Sequence, residues 1–221
     1  MRLNTKSLIP SAFISSTFID LKKERSIVAE ILRNEGLYIN ALDVQPASTK
    51  SSKNKIIEGI EASDFIILIV GERYGSIIPQ MTGSQMLSIT WWEYQNARKL
   101  RRPVLVFFKS ITDLSPINHD DKNASDYDFK RQKLIRFKDI LSRDHDPKYF
   151  SSVSELSIQI KKSLISVYRE GFKYQQEKHD DLRRKINIKP EKKELDSKVE
   201  SLSPLENEQQ TNNILIGLRS I

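Results

Sequence analysis

Apolar residues along this chain gather in short runs, and between the runs they recur with a helical period. Ala12-Phe13-Ile14 is one such run and ends in three hydroxyl residues, Ser15-Ser16-Thr17. From Phe18 the period changes. Leu21, Ile27, Val28, Ile31 and Leu32 share one helical stripe, with Lys22, Lys23 and Glu30 off it, and Gly36 stands where a left-handed residue closes a helix. Tyr38 to Leu42 reads as a second strand, after which Ser51 or Ser52 caps a helix carrying Ile56, Ile57 and Ile60.

Asp64-Phe65-Ile66-Ile67-Leu68-Ile69-Val70 is the plainest signal in the chain. A continuous β-branched and aliphatic run of this kind suits a central strand covered on both faces. It stops at Gly71-Glu72-Arg73-Tyr74-Gly75, a loop with a glycine at each end. A polar stretch to Ser88 follows, then a helix from about Trp91 to Leu100. Val104 to Phe108 is another buried strand after Pro103. Beyond a polar excursion from Thr112 to Asp128, Leu134, Ile135, Phe137, Ile140 and Leu141 mark a helix. Tyr149-Phe150 reads as a short edge strand, and Leu156, Ile160, Leu164 and Val167 mark the last packed helix.

Strands alternating with helices imply right-handed crossovers and a doubly wound parallel sheet. Five strands joined this way fit a flavodoxin-like order, in which ligands bind at the carboxyl ends of the first and third strands. Those ends are Ser15-Ser16-Thr17 and Gly71 to Gly75. The chain thus divides into an arm at 1–10, an α/β domain at 11–170 and a polar extension at 171–221. In the extension, residues 187–213 are mostly Lys, Glu, Ser, Pro, Gln and Asn, a composition that buries too little surface to offset ordering entropy. The apolar end Ile214-Leu215-Ile216-Gly217-Leu218 reads either as a docking peptide for a partner or as a segment folded back on its own domain.

Composition removes several classes of function. There is no cysteine and there are three histidines, which excludes a disulfide framework or thiolate metal site and leaves little for any metal centre. No stretch is apolar enough to span a bilayer, so the expected setting is cytoplasmic. The net charge is +7, yet the basic residues are dispersed, whereas a nucleic-acid interface gathers them into a stripe. A mildly basic surface suits anionic small molecules at least as well.

Two readings of Thr90-Trp91-Trp92-Glu93 stand side by side. In one, Thr90 is an N-cap and Glu93 its capping-box partner. In the other, Glu93 is a carboxylate at the crevice that stabilises, or attacks, a ribosyl carbon as its base departs. Around it, Arg73 can hold a phosphate by paired hydrogen bonds, or belong to a salt-bridged loop with Glu72. Tyr74 can stack on a base or pack the loop down. Asp64 reads as a turn residue, Asp20, Glu24 and Arg25 lie on or beside the first helix, and His119, His145 and His179 carry no assigned role. Gly71 and Gly75 do not make a phosphate-binding glycine fingerprint.

Phe13-Ile14-Ser15-Ser16-Thr17-Phe18 with Asp20-Leu21 and Glu24-Arg25, followed by Gly71-Glu72-Arg73-Tyr74-Gly75, resembles a bacterial TIR-like domain of unknown function. That family is found at the head of STAND-type NTPases and other antiphage proteins. More distantly, Glu93, Ala97 and Arg102-Pro103 are similar in order and spacing to the catalytic-glutamate helix of nucleoside deoxyribosyltransferases, which are related to TIR-domain NAD hydrolases. Leu87-Ser88-Ile89 stands where the transferases carry an acidic residue, which tilts the expectation toward hydrolysis. The resemblance implies a nucleosidase cleaving the N-glycosidic bond of NAD or a related nucleotide, as substrate and not as cofactor. Its catalytic residue would be Glu93, with Ser15, Ser16, Thr17, Gly71, Arg73, Tyr74 and Trp92 (or Trp91) around the substrate. It also implies self-association or a protein partner. The alternative is a non-catalytic nucleotide-sensing or interaction module.

Overall fold

The run Phe65–Val70 forms β3, and all six of its residues are buried. It lies at the middle of a five-stranded sheet of order β2-β1-β3-β4-β5, with β1 at Ser11–Ser16, β2 at Tyr38–Asn40, β4 at Val104–Lys109 and β5 at Lys148–Phe150. Every pairing is parallel. This is the flavodoxin-like order expected from the alternation of strands and helices. The computed structural model describes residues 9–40, 51–110, 120 and 122–186. Most of the arm, Ala41 and Leu42 of the expected second strand, His119 and the apolar end Ile214 to Leu218 lie outside the described residues.

Alternate residues of β3 explain why its sequence is apolar throughout. Phe65, Ile67 and Ile69 pack with Ala12 and Ile14 against α1 (Lys22–Asn34) and α6 (Val153–Ile186). Ile66, Leu68 and Val70 face the other way, toward α2 (Ser52–Ala62), α4 (Ile89–Lys99) and α5 (Tyr127–Asp144). A strand covered on both faces has no position at which a polar residue is cheap. The chain divides into two compact units, Met1–Tyr174 and Gln175–Ile221. The described part of the second is helical to Ile186.

Local signals set most element ends. Ser51 caps α2, its hydroxyl accepting from the Asn54 N–H. α1 closes at Gly36, whose φ is +75°; Gly36 N–H bonds to Arg33 O and Leu37 N–H to Leu32 O, a Schellman ending. Two elements differ from expectation. A short helix, α3 (Pro79–Thr82), lies within the polar stretch before Ser88. α4 begins at Ile89, because Ser88 has an extended backbone and its hydroxyl accepts from Trp91 N–H. Thr90 is therefore not the N-cap, and Glu93, in the second turn, is not its capping-box partner.

Candidate functional site at the carboxyl ends of β1 and β3

Three hydroxyls in a row stand at the end of β1, and each has a different fate. Ser15 is buried, and its Oγ donates to Glu93 Oε2 at 2.5 Å. Ser16 Oγ donates to Thr17 O at 2.9 Å and accepts from Arg25 Nη1 at 3.0 Å. Arg25 also reaches Ile14 O at 3.4 Å, so this α1 side chain closes over the end of the strand. Thr17 Oγ1 is buried beside the Asp20 carboxyl.

Thr17 lines a cavity of about 290 Å³ together with Ser16, Arg73, Gly75, Thr90 and Lys130. Ile89 and Thr90 lie on its wall, and Glu93, four and three residues further along α4, is on the same helix face. Ser15 and Glu93 themselves do not line the cavity. Glu93 is only 8% exposed. Two larger hollows, of about 560 and 590 Å³, share no lining residue with this cavity. The smaller one is the candidate site because, of these three, it is the one lined by Ser16 and Thr17 at the end of β1 and by Arg73 and Gly75 after β3.

The second lip is Gly71 to Gly75. Arg73 lies 3.9 Å from Asp120, and the same carboxylate accepts from Tyr74 N–H at 2.8 Å. Glu72 turns away to α5, where Lys138 lies 2.5 Å and Arg131 2.8 Å from its carboxylate. Burial alone would raise the Glu72 carboxyl, but these two cations overcome it and hold the group below its ordinary value. Gly71 follows β3 directly and is buried.

Tyr74 and the two tryptophans lie in the core. The Tyr74 ring is 1% exposed and meets Trp91 edge-on at 6.1 Å. Its hydroxyl donates to Met86 O at 2.7 Å and accepts from Ser88 N–H at 3.2 Å; burial raises its pKa against the opposing pull of Ser88. Trp91 stacks on Phe137 at 5.0 Å, while Trp92 packs with Phe13, Ile56 and Ile66. Neither Tyr74 nor Trp92 lines the cavity. The apolar positions at its rim are Phe18, Ile19 and Ile78, all exposed.

Asp20 completes the surroundings. Both of its oxygens are buried. Burial pushes its carboxyl above the ordinary value, and hydrogen bonding from Thr17 and its own backbone, with the charges of Arg73 and Lys109, only partly counters this. Lys109 is paired at 2.8 Å with Glu24. Asp64 accepts from the Ser11 N–H at 2.8 Å and ties β1 to β3. Among the described residues no group of three His, Asp or Glu side chains could hold a metal, and no helix is long and apolar enough to cross a membrane.

Sequence reasoning did not single out Asp120 or Lys130, which sit in or next to a polar loop without periodicity. Thr90 was legible only as a cap.

The family profile described as a domain of unknown function (DUF4062) matches residues 11–165. The chain belongs to the DUF4062 family. That match spans the whole sheet of this DUF4062 protein, from the first residue of β1 into α6. No curated protein matches it. Among solved structures, the TIR domains of the activated Roq1 resistosome directly recognizing the pathogen effector XopQ are similar. They are 18% identical, with 70% of this chain and 99% of that chain covered and a TM-score of 0.44.

Proposed function

We propose that this domain is a TIR-like nucleosidase that cleaves the N-glycosidic bond of NAD or a related nucleotide, acting as an effector in antiphage defence. The observation that carries the reading is the buried Ser15–Glu93 hydrogen bond, which joins the end of β1 to α4, the two elements that also supply Ser16 and Thr90 to the cavity lining. In the reaction the bond between C1′ and the pyridinium nitrogen breaks, and its electron pair neutralises the departing nicotinamide. Positive charge develops on the ribosyl ring, and the Glu93 carboxylate stabilises it or bonds to C1′. Water then adds at C1′ and loses a proton. Since the leaving group departs neutral, no second carboxyl is required to protonate it. Ser15 holds Glu93 in place, and Arg73 and Lys130 supply positive charge for a phosphate.

The test is incubation of the full chain with NAD, following nicotinamide release by chromatography. Release that is abolished by Glu93→Gln and Glu93→Ala supports the reading; release that persists in both overturns the role of Glu93.

A second reading rests on a specific observation. The Glu93 carboxylate is buried and accepts a short hydrogen bond from Ser15, which would also suit a structural strut in a domain that binds a nucleotide without cleaving it. Saturable NAD binding with no turnover would favour this sensing module.

A further inference from the structure

The last strand of the sheet is shorter than its neighbour. β4 has six residues and β5 three, and β5 pairs only with Phe107, Phe108 and Lys109. The first half of β4 is therefore an edge. Pro103 O accepts from Ile66 N–H on the β3 side, and alternation along the strand turns Val104 and Val106 the other way. Among the described residues neither the N–H and C=O of Val104 nor the N–H of Val106 has a partner on that side.

This edge forms the floor of a groove of about 560 Å³, walled by Gln159, Lys162, Ser163 and Ser166 of α6. The groove continues past Val104 and Leu105 into a second hollow bordered by Arg101 and Arg102. Two more groups are left open here. Gln159 Oε1 and Arg102 Nε are buried with no hydrogen-bond partner among the described residues. Arg101 and Lys162 make no ion pair among the described residues. Asp146, paired with Lys148, and Glu170 also line the hollows, and with Arg102 the cations outnumber them.

Arg101 adds an independent sign. It occupies the left-handed closing position of α4 with φ +54°; Arg101 N–H bonds to Arg98 O and Arg102 N–H to Ala97 O. Glycine takes that position at least cost. Here the strain is accepted and a cation is placed at the groove mouth.

We infer that this groove binds an extended, acidic segment of a partner protein, which adds as a strand to the open half of β4. Main-chain pairing with Val104 and Val106 supplies the register, as in other recognition by strand addition. Gln159 and Arg102 find their missing partners, and acidic residues on the segment meet Arg101 and Lys162. A second copy of the same edge is disfavoured because it would bring these cations against their own counterparts. The inference does not depend on Glu93 or on any nucleotide chemistry.

The test is selection by the full chain from a phage-displayed library with Val, Ile or Thr at every second position and random residues between. Selected peptides are then synthesised for anisotropy measurements. Enrichment of acidic residues is expected, along with at least tenfold weaker binding when the backbone is N-methylated at the paired positions. Arg101→Gly should raise Tm, by relieving backbone strain, while weakening binding several-fold; Lys162→Glu should weaken it further. Failure to enrich any peptide, enrichment of basic ones or indifference to N-methylation would each overturn the proposal. So would a dimer in sedimentation that is dissolved by Val104→Pro, which removes an open main-chain donor, because a second copy would then be the occupant.

Discussion

Ser15 on β1 and Glu93 on α4, seventy-eight positions apart in sequence, are joined by a buried hydrogen bond of 2.5 Å. A carboxylate at this depth is fixed in orientation, and that alignment is what a group acting on a developing positive charge requires. Ser15→Ala leaves a buried acceptor with one fewer donor, at a cost of about 1–3 kcal/mol in stability. If Glu93 is catalytic, Ser15→Ala also lowers kcat more than it raises KM. Glu93→Gln keeps the shape and lowers kcat by about 100-fold or more. Steady-state NAD cleavage alongside thermal melts separates the two effects.

The two lips of the cavity touch through one methyl group. A Cβ at Gly75 would lie 2.8 Å from Thr17 Cγ2, and Gly75 has φ +88°. Gly75→Ala is expected to destabilise by about 1–2 kcal/mol from the backbone alone, plus the clash. Thr17→Ser removes the offending methyl, so the double variant should recover the clash and keep the backbone cost. A double-mutant cycle in urea measures that coupling.

Asp20 gives a dependence on pH with a definite sign. Its folded pKa lies above the ordinary 3.8, so the native state holds this proton more tightly than the unfolded state. The resulting stability is full below about pH 4 and is lost as pH rises through the raised value. Asp20→Asn should therefore raise Tm at pH 7, with the gain shrinking toward zero as pH falls to 4. A Tm difference that is the same at both pH values would count against this account.

Glu72 behaves in the opposite sense. Its folded pKa lies below the ordinary 4.5, so its ties to Lys138 and Arg131 contribute stability above that pH, lost as pH falls through the lowered value. Arg131 is half exposed and screened, so Glu72→Gln should cost only about 1 kcal/mol at pH 7. Chemical denaturation at pH 7 and pH 3 should show a smaller deficit for the variant at the lower pH.

Much of the fold was written locally. Phe65 to Val70 could hardly be anything but a doubly covered strand, and Gly36 and Ser51 mark helix ends through their own backbone and hydroxyl chemistry. The start of α4 was less legible, because Ser88 and Thr90 are both good caps in sequence. What decides between them is tertiary: Ile89 N–H bonds to Ser76 O and Ser88 N–H to Tyr74 Oη, and together these set where the helix begins. The same kind of long-range fact makes Tyr74 and Trp92 core residues, since an aromatic side chain has the same letter whether it stacks on a ligand or on Phe137. Asp120 reaches Arg73 from a polar stretch of sequence that carries no periodic signal. The Ser15–Glu93 contact was foreseeable only as two ends of one crevice.

The Tyr74 hydroxyl links two parts of the molecule that would otherwise be independent. It accepts from the N–H of Ser88, and Ser88 is the residue that caps α4. An excursion that lifts Tyr74 out of place removes the hydroxyl that holds the N–H of this capping residue. The loop and the helix are therefore pinned at one shared point, so that removing the Tyr74 hydroxyl is felt at the start of α4 as well as in the loop.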